Sequence, residues 1–376
     1  MTPHPALPTV PAHPGHTRRL HLQWLASQLG LAAAAWPQAA TALSARALEF
    51  PRDFGAHPDL RTEWWYITGH AQDPSGRLFG FQLTFFRTRV DAAQSLQSRF
   101  AARQLIFAHA AVTDVQGRKL WHDQGIARQG FGLAQASEQD TDVRLQRWSL
   151  KRQGPVQASS YRASLPASDI ALDLQFRATQ PLLLQGQQGL SRKGPQASQA
   201  SYYYSQPQLA AQGRIGLKGQ SFEVQGRAWL DHEWSEELLH PQAQGWDWIG
   251  MNFDNGSALT AFVLRRADGS ALWAGGSMRA AGGPSRSFEP HEVKMSPLRH
   301  WVSPHSKARY PVEWQIDTPA GRHTVKALLD DQELDSRSST GTVYWEGLSD
   351  LLDAQGQRVA RGYLEMTGYA APLKMS

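Results

Sequence analysis

Residues 226–256 read GRAWLDHEWSEELLHPQAQGWDWIGMNFDNG, and this segment decides the fold. It contains four tryptophans, a group of acidic side chains and two histidines, and it lies where the chain divides into two halves. Because an exposed tryptophan is costly, such a cluster is typical of a pocket that needs both apolar walls and groups that transfer protons. We therefore expect any chemistry of this protein to take place around this segment.

The composition is that of a folded, β-rich protein. Of the 376 residues, 41% are hydrophobic and 19% are charged, and the 14 tryptophans and 14 phenylalanines are the departure from an ordinary composition. With 32 glycines and 22 prolines to form turns, this favours strands around large apolar interiors. The net charge of +5 is scattered over single residues, which does not favour nucleic-acid binding. The absence of cysteine excludes disulfides, thiolate catalysis and cysteine-ligated zinc.

The amino-terminal residues 1–47 have the order of an export signal. The adjacent Arg18 and Arg19 precede an apolar run at residues 24–36, and small residues follow at 40–42. Positive charge, an apolar core and small residues for cleavage define a signal peptide, and paired arginines favour the twin-arginine type. We therefore expect an exported, periplasmic protein. The alternative is a disordered basic tail with a short amphipathic helix.

From Phe50 onward, the chain reads as short apolar runs joined by tight turns. Turn sequences such as Asp254-Asn255-Gly256 are the strongest local signals of β-hairpins. Single strands are predicted, for example, at residues 143–150 and 221–231, whereas the Gln/Ser-rich residues 185–199 are predicted to form a long loop. Helical periodicity is poor nearly everywhere, so the sequence predicts an all-β protein.

An internal repeat predicts two similar domains. The sequence EWWYITG at residues 63–69 precedes a tight turn and an apolar strand, and WDWIGM at residues 246–251 does the same. Duplicated hairpins without long helices favour antiparallel barrels, because closure removes exposed strand edges and encloses an apolar ligand. We place the boundary near Ser235, which gives an amino-terminal domain at 48–235 and a carboxy-terminal domain at 236–376.

Four motifs follow one another across nearly the whole mature chain. They are HPDLRTEWWYITGH at 57–70, GRAWLDHEWS at 226–235, GWDWIGMNFDNG at 245–256, and TVYWEG with GYLEMTGY at 342–369. In these motifs the chain resembles the carotenoid 1,2-hydratase and AttH-like family. The resemblance implies two lipocalin-like (calycin-type) antiparallel β-barrels in tandem, often in exported proteins. Members of this family include hydratases of isoprenoid double bonds, catalysts of pericyclic reactions in polyketide pathways, and exported partners of transport systems.

Hydration of an isolated double bond without a cofactor requires an acid, a stabilised cation and an activated water. A buried carboxylic acid with a raised pKa can protonate carbon, and tryptophan faces can stabilise the carbocation. A histidine or a second carboxylate can accept a proton from the attacking water. The predicted catalytic residues of this hydro-lyase chemistry are Asp231, His232, Glu233 and Asp247. We expect neither a cofactor nor a metal.

Strand parity limits which of these groups act together. If residues 228–234 are extended, Asp231 and Glu233 share one face, while His232 and Trp234 share the other. The resemblance draws attention to His232, Trp234 and Asp247, but the sequence leaves open which face lines a pocket. The predicted ligand-binding residues are the aromatic and polar side chains of the motif strands: Glu63, Trp64, Trp65, Tyr66, Trp234, Trp246, Trp248, Asn252, Tyr344 and Glu346.

Two functions of different classes remain open. The first is an exported, cofactor-independent hydratase or isomerase acting on an apolar polyene or terpenoid. The second is a non-catalytic lipophile carrier, or an accessory protein of an envelope ABC transporter, that associates with the membrane surface. The cluster of acids, histidine and tryptophan favours the enzyme. Export favours the carrier, because carotenoids are usually modified at the cytoplasmic membrane. For Asp231, the structural alternative is an ion pair with Arg61 or Arg227.

Overall fold

The computed structural model describes residues 43–237 and 239–373. Within them the protein is all-β and consists of two antiparallel sheets, which confirms the predicted fold class. The predicted export signal lies outside the described residues, apart from residues 43–47. None of the described helices is both long enough and apolar enough to cross a membrane.

The first sheet is built from thirteen strands of the first half of the chain. They are β1 (Thr62–Gln72), β2 (Leu78–Arg89), β3 (Gln104–Asp114), β4 (Lys119–Arg128), β5 (Ala134–Ala136), β6 (Asp142–Leu145), β7 (Trp148–Gln153), β8 (Ser160–Pro166), β9 (Ile170–Arg177), β10 (Leu183–Leu184), β11 (Leu190–Arg192), β12 (Ala200–Leu217) and β13 (Gln220–Ser235). The order is β4-β3-β2-β1-β13-β12-β9-β8-β7-β6-β5, with β10 and β11 paired to β12. Because β4 packs against β6 and β9, the sheet curls into a nearly closed barrel.

The second sheet is built from ten strands. They are β14 (Gly245–Phe253), β15 (Ala258–Arg265), β16 (Ala271–Arg279), β17 (Ser285–Phe288), β18 (Lys294–Val302), β19 (Arg309–Thr318), β20 (Gly321–Ala327), β21 (Glu333–Asp335), β22 (Val343–Leu352) and β23 (Arg358–Met366). The order is β17-β16-β15-β14-β23-β22-β20-β19-β18, with β21 paired to β22. Among the described residues, the edge strands β17 and β18 are not paired with each other, so this sheet is more open than a closed barrel.

Helices contribute little to the described part of the chain. One α-helical turn, α1, spans Asp91–Gln94, and 3-10 turns span Arg52–Phe54, Val156–Ala158 and Pro290–Glu292. The change from the first sheet to the second occurs between Ser235, where β13 ends, and Gly245, where β14 begins.

Residues 62–69 of β1 and residues 228–235 of β13 form a shared wall that has no exposed residue on either face. In their antiparallel register, Trp65 lies opposite His232 and Tyr66 lies opposite Asp231. Trp65 packs in the core of the first barrel, whereas Tyr66 packs with Trp248 of the second sheet. One face of the wall therefore packs inside the first barrel and the other packs against the second sheet, and both faces carry aromatic side chains.

Two local predictions differ from the structure. The single strand predicted at residues 143–150 is wrong, because β6 ends at Leu145 and β7 begins at Trp148. The chain reverses through Gln146, whose φ of 54° lies in the left-handed region that few non-glycine residues adopt. The loop predicted at residues 185–199 is interrupted by β11.

Candidate functional site

The predicted site residues surround a cavity of about 410 Å³ between the two sheets. Its apolar walls are largely aromatic: Trp64, Phe86, Phe107, Trp246, Trp248, Phe262 and Leu264. Its ionisable and phenolic groups come from both halves of the chain: Glu63, Tyr66, Arg87, His109, Lys193, Tyr203, Asp231, Glu233, Tyr344, Glu346 and Glu365. A cavity with apolar walls and a few convergent polar groups is the usual form of a small-molecule site.

A larger groove of about 860 Å³ opens on the surface elsewhere. Its described lining is mainly glutamine and arginine side chains, and it contains none of the residues predicted from the sequence. The smaller cavity therefore remains the candidate site, because it combines apolar walls with buried proton-transfer groups.

Asp231 is a carboxyl group of the cavity wall that accepts three hydrogen bonds. Its Oδ1 atom accepts hydrogen bonds from Trp229 Nε1 at 2.7 Å and from Ser205 Oγ at 2.5 Å. Its Oδ2 atom accepts one from the Tyr203 hydroxyl at 2.9 Å. Burial raises the pKa of Asp231 to about 7, although these hydrogen bonds favour the ionised form. Both protonation states are therefore accessible near neutral pH.

Glu346 and Glu365 form a pair of carboxyl groups on the opposite side of the cavity. They lie directly across from each other on β22 and β23. Burial, reinforced by the charge of Glu365, raises the pKa of Glu346 well above its ordinary value. Burial, together with the charges of Asp231 and Glu233, also raises the pKa of Glu365. This pair therefore retains protons to higher pH than Asp231 does.

Tyr66 connects the two sets of carboxyl groups. It lies opposite Asp231 in the shared wall, and its hydroxyl donates a hydrogen bond to Glu346 Oε1 at 2.5 Å. This hydrogen bond joins the first sheet to the second. Trp246 Nε1 donates to Glu365 Oε1 at 3.2 Å, which fixes the other carboxyl group.

Glu233 belongs to a buried ion pair. Its Oε1 atom lies 2.9 Å from Lys193 Nζ and accepts a hydrogen bond from Ser201 Oγ at 2.5 Å. The Lys193 ammonium also lies 4.4 Å from the ring centroid of Phe262 and 4.7 Å from that of Tyr203. Sequence reasoning missed Lys193, because a lysine in a Gln/Ser-rich stretch carries no local signal of burial.

The histidine of the cavity is His109, which the sequence did not single out as a site residue. Its Nδ1 atom lies 2.9 Å from the Tyr344 hydroxyl, and its Nε2 atom lies 2.8 Å from Ser339 Oγ. Burial, with a smaller effect of nearby His122, lowers the pKa of His109 to about 3. The imidazole is therefore neutral and orients Tyr344.

His232 lies on the other face of the shared wall, inside the first barrel. Its Nε2 atom lies 2.9 Å from Glu63 Oε1, and its Nδ1 atom lies 3.0 Å from the Tyr204 hydroxyl. Its ring stacks on Trp65, and Trp234 packs beside it. Burial lowers the pKa of His232 to about 4, although the hydrogen bond that His232 donates to Glu63 opposes this.

Glu63 borders the cavity, but its carboxylate belongs to the interior of the barrel. It accepts hydrogen bonds from His57, from His232 and from Arg87 Nε at 2.8 Å. Burial alone would raise the pKa of Glu63, but the two histidines and Arg87 hold it below its ordinary value. His57, Glu63 and His232 bring ligand-type atoms within 4.8 Å of one another. The Arg87 charge on the same carboxylate opposes a cation there.

Asp247 and Asn252 lie outside the cavity lining. Asp247 Oδ2 is 2.6 Å from Arg265 Nε, and burial raises the pKa of Asp247 to about 6 while Arg265 opposes the shift. Asn252 connects the sheets: its Oδ1 atom accepts from the Gln208 backbone at 2.8 Å, and its Nδ2 atom donates to the Ala228 carbonyl at 3.1 Å.

The two-face alternation predicted for β13 is confirmed, since Asp231 and Glu233 line the cavity while His232 and Trp234 do not. Nine predicted site residues line the cavity: Glu63, Trp64, Tyr66, Asp231, Glu233, Trp246, Trp248, Tyr344 and Glu346. Five predicted site residues lie outside its lining: Trp65, His232, Trp234, Asp247 and Asn252. His232, Trp234 and Asp247, to which the resemblance draws attention, therefore do not line this cavity.

A double-mutant cycle tests the buried pair of Lys193 and Glu233. We expect Lys193→Met and Glu233→Gln each to lower the free energy of unfolding, because each leaves one buried charge without its partner. Their coupling energy should be about 0.5–3 kcal/mol in urea unfolding. The same cycle on the exposed pair of Lys218 and Asp169 is the control and should give less than about 1 kcal/mol. Strictly additive effects of Lys193→Met and Glu233→Gln would contradict the pairing.

Comparison with known proteins bears on the family and the fold. Residues 41–369 match a family described as AttH-like, and a sequence search of curated proteins gave no significant match. Among solved structures, a candidate AttH from Nitrosomonas europaea is 47% identical, with a TM-score of 0.81 over 88% of this chain and 100% of that chain.

Two more distant structures have the same fold. Kievitone hydratase from Nectria haematococca is 12% identical, with a TM-score of 0.67 over 86% of this chain and 94% of that chain. CghA with Sch210972 is also 12% identical, with a TM-score of 0.53 over 81% of this chain and 88% of that chain. The family match covers most of the chain, and it confirms the resemblance carried by the four motifs. The chain therefore belongs to the AttH-like family.

Proposed function

We propose that the cavity between the sheets binds an apolar polyene or terpenoid and adds water to an isolated double bond without a cofactor. The observation that carries this proposal is the placement of two kinds of carboxyl group across one aromatic cavity. Asp231, with three hydrogen-bond donors, is suited to ionise, whereas Glu346 and Glu365 are suited to remain protonated. Environments that separate the pKa values of carboxyl groups assign an acid and a base.

The reaction begins with proton transfer from the Glu346 carboxylic acid to one alkene carbon. The O–H bond of Glu346 breaks, a C–H bond forms, and the neighbouring carbon becomes a cation. The indole faces of Trp64, Trp246 and Trp248 line the cavity and stabilise this charge. The apolar walls also keep bulk water away from it.

Asp231 then acts as the general base. A water molecule forms a C–O bond to the cationic carbon, and its proton passes to the Asp231 carboxylate. Asp231 then releases this proton to solvent, and Glu346 takes up a proton from solvent, while the Tyr66 hydroxyl holds Glu346 in place. The net change is one water added across the double bond, with both carboxyl groups restored.

The name of one structural relative states the same class of reaction. Kievitone hydratase is a hydratase by name, but at 12% identity it supports the fold rather than the chemistry. Export of this chain, expected from its amino-terminal sequence, would place the reaction in the periplasm.

A non-catalytic carrier of the same class of ligand is the second candidate. The observation that favours it is the aromatic lining, which is sufficient to bind a polyene whether or not a reaction follows. Membrane-surface association or an envelope ABC transporter would fit this role, and the two candidates differ in turnover rather than in binding.

Incubation with acyclic carotenoids in heavy-oxygen water separates the two candidates. For the hydratase we expect a hydroxylated product that carries one heavy oxygen atom, detected by mass spectrometry. Asp231→Asn serves as the inactive reference. Tight binding of a polyene without incorporation of the label would overturn the hydratase and leave the carrier.

The pH dependence of kcat/KM provides a further prediction. The base must be ionised, so activity should rise as pH increases through about 7, the pKa to which burial raises Asp231. It should fall again at higher pH, when the Glu346 and Glu365 pair loses its protons. The measurement is initial rate from acid to alkaline pH. A profile that only falls as pH rises would assign Asp231 to the acid role instead.

A further inference from the structure

We propose that an exposed apolar patch beside the cavity docks this protein on the surface of an anionic lipid bilayer. The docking patch consists of Leu96, Phe100, Ile126, Phe131 and Leu133. These are five of the seven large hydrophobic side chains that are exposed in the described part of the chain. Such a concentration on the surface marks an interaction site, whereas isolated exposed apolar residues are ordinary.

The patch is organised around two phenylalanines. The rings of Phe100 and Phe131 stack with centroids 5.4 Å apart and planes 8° apart. The side chain of Phe100 is 67% exposed and that of Phe131 is 50% exposed, so each ring covers the other while both remain open to solvent. The guanidinium of Arg128 lies 4.2 Å from the Phe131 centroid and donates to the Phe100 carbonyl at 2.6 Å.

The charge around the patch is positive. Arg99, Arg103 and Arg128 make no ion pair with a carboxylate among residues 43–237 and 239–373. Asp91 is paired with Arg61 and Arg89. Asp123 lies on β4 at an odd number of residues from Ile126, so it points to the opposite face of that strand from Ile126. Exposed aromatic side chains beside unpaired arginines are the composition of a surface that binds anionic lipid headgroups.

The patch is continuous with the cavity. Ile126 of β4 belongs to both, and Arg128 lies opposite the cavity residue Leu105 in the β3–β4 register. Docking there would bring the cavity to the bilayer, where an apolar ligand is dissolved. This last step rests on the ligand class proposed above, whereas the docking itself does not.

Charge favours a bilayer over a second copy of the chain. A symmetric contact through the patch would place the arginines of one copy against those of the other, and like charges in contact oppose association. An anionic membrane supplies the complementary charge.

Vesicle sedimentation tests the proposal with the full chain. The probes are vesicles of phosphatidylcholine alone and of phosphatidylcholine mixed with phosphatidylglycerol. We expect stronger partitioning to the anionic vesicles. The Phe100→Ser/Phe131→Ser variant should have a partition coefficient about tenfold lower than that of the unaltered protein. The Arg99→Gln variant should have a partition coefficient about fivefold lower on anionic vesicles, and this difference should become smaller at high salt. All variants keep the same amino terminus, so differences report on the patch.

The matched control is Leu298→Ser/Val302→Ser, which removes the two other large hydrophobic side chains that are exposed among residues 43–237 and 239–373. It should partition like the unaltered protein. Equal partitioning of the Phe100→Ser/Phe131→Ser variant and this control would overturn the proposal. So would light scattering that shows self-association lost in the Phe100→Ser/Phe131→Ser variant without a change in vesicle binding, since the occupant would then be a second copy. Neither result depends on turnover, so a failed hydratase assay leaves this test intact.

Discussion

Replacement of Asp231 by asparagine is expected to lower turnover by about 10²- to 10⁴-fold, which is the usual contribution of a general base. The amide cannot accept a proton from water, so the second half of the hydration has no acceptor in that position. The measurement is label incorporation from heavy-oxygen water, with ligand binding followed separately by quenching of tryptophan fluorescence. Binding should change little, because the side-chain volume is almost the same.

The fold should tolerate this change for a geometric reason. The amide oxygen can replace Oδ1 and accept from Trp229 and Ser205, while the amide nitrogen can donate to the Tyr203 oxygen after the hydroxyl rotates. We expect a stability loss of about 1 kcal/mol. Asp169→Asn, at an exposed carboxylate paired with Lys218, is the matched control and should leave turnover unchanged.

The stability of Asp231→Asn as a function of pH offers a second readout. The pKa of Asp231 is raised from its ordinary 3.8 to about 7 by burial, so the folded protein binds this proton more tightly than the unfolded chain does. The contribution of this group to stability is therefore lost as pH rises from about 4 to about 7. The asparagine variant should lack that decline. Full turnover in the variant would rule out the base assignment.

Replacement of Glu63 by alanine is expected to lower the free energy of unfolding by about 3–5 kcal/mol. The carboxylate accepts from His57, His232 and Arg87, and the Arg87 side chain is only 1% exposed. Removal of Glu63 leaves this guanidinium buried without its counter-charge. Urea unfolding followed by tryptophan fluorescence measures the loss.

Glu138→Ala is the control for this change. Glu138 is 62% exposed and lies 3.8 Å from Arg52, so its removal should alter stability by no more than about 0.5 kcal/mol. The loss of stability for Glu63→Gln should lie between those for Glu63→Ala and Glu138→Ala, because glutamine keeps a hydrogen-bond acceptor but not the charge. A loss below about 1 kcal/mol for Glu63→Ala would show that Arg87 finds another partner or reaches water.

The sequence predicted that Asp231 and His232 lie on opposite faces of the strand, but it could not predict which of these faces lines the cavity. A period of two places adjacent residues on opposite sides of a strand wherever it lies. The apolar pattern identifies a core face only when the other face meets water. In residues 228–235 of β13 both faces are buried, so the pattern offered no basis for choosing between them.

The parts of the site that escaped prediction are those assembled over long sequence separations. Glu365 becomes a cavity group because β23 pairs with β22 and places it opposite Glu346. Lys193 can be buried because its ammonium group pairs with Glu233 and contacts the rings of Tyr203 and Phe262. The turn at Gln146 was missed for a local reason. Gln146 adopts a left-handed conformation, which in most proteins is occupied by glycine or asparagine, so its sequence did not indicate a turn.

The burial of residues 62–69 of β1 and residues 228–235 of β13 on both faces also limits which substitutions these strands can accept. A change at Trp65 must suit the barrel interior, a change at Tyr66 must suit the cavity, and the two neighbours cannot exchange roles without a slip of the register. Motifs on these strands therefore have less freedom to vary than the loops and the far side of the cavity. A descendant that acquires a different ligand would be expected to remodel those other surfaces first, and to remain recognisable by EWWYITG and GRAWLDHEW long after its chemistry has changed.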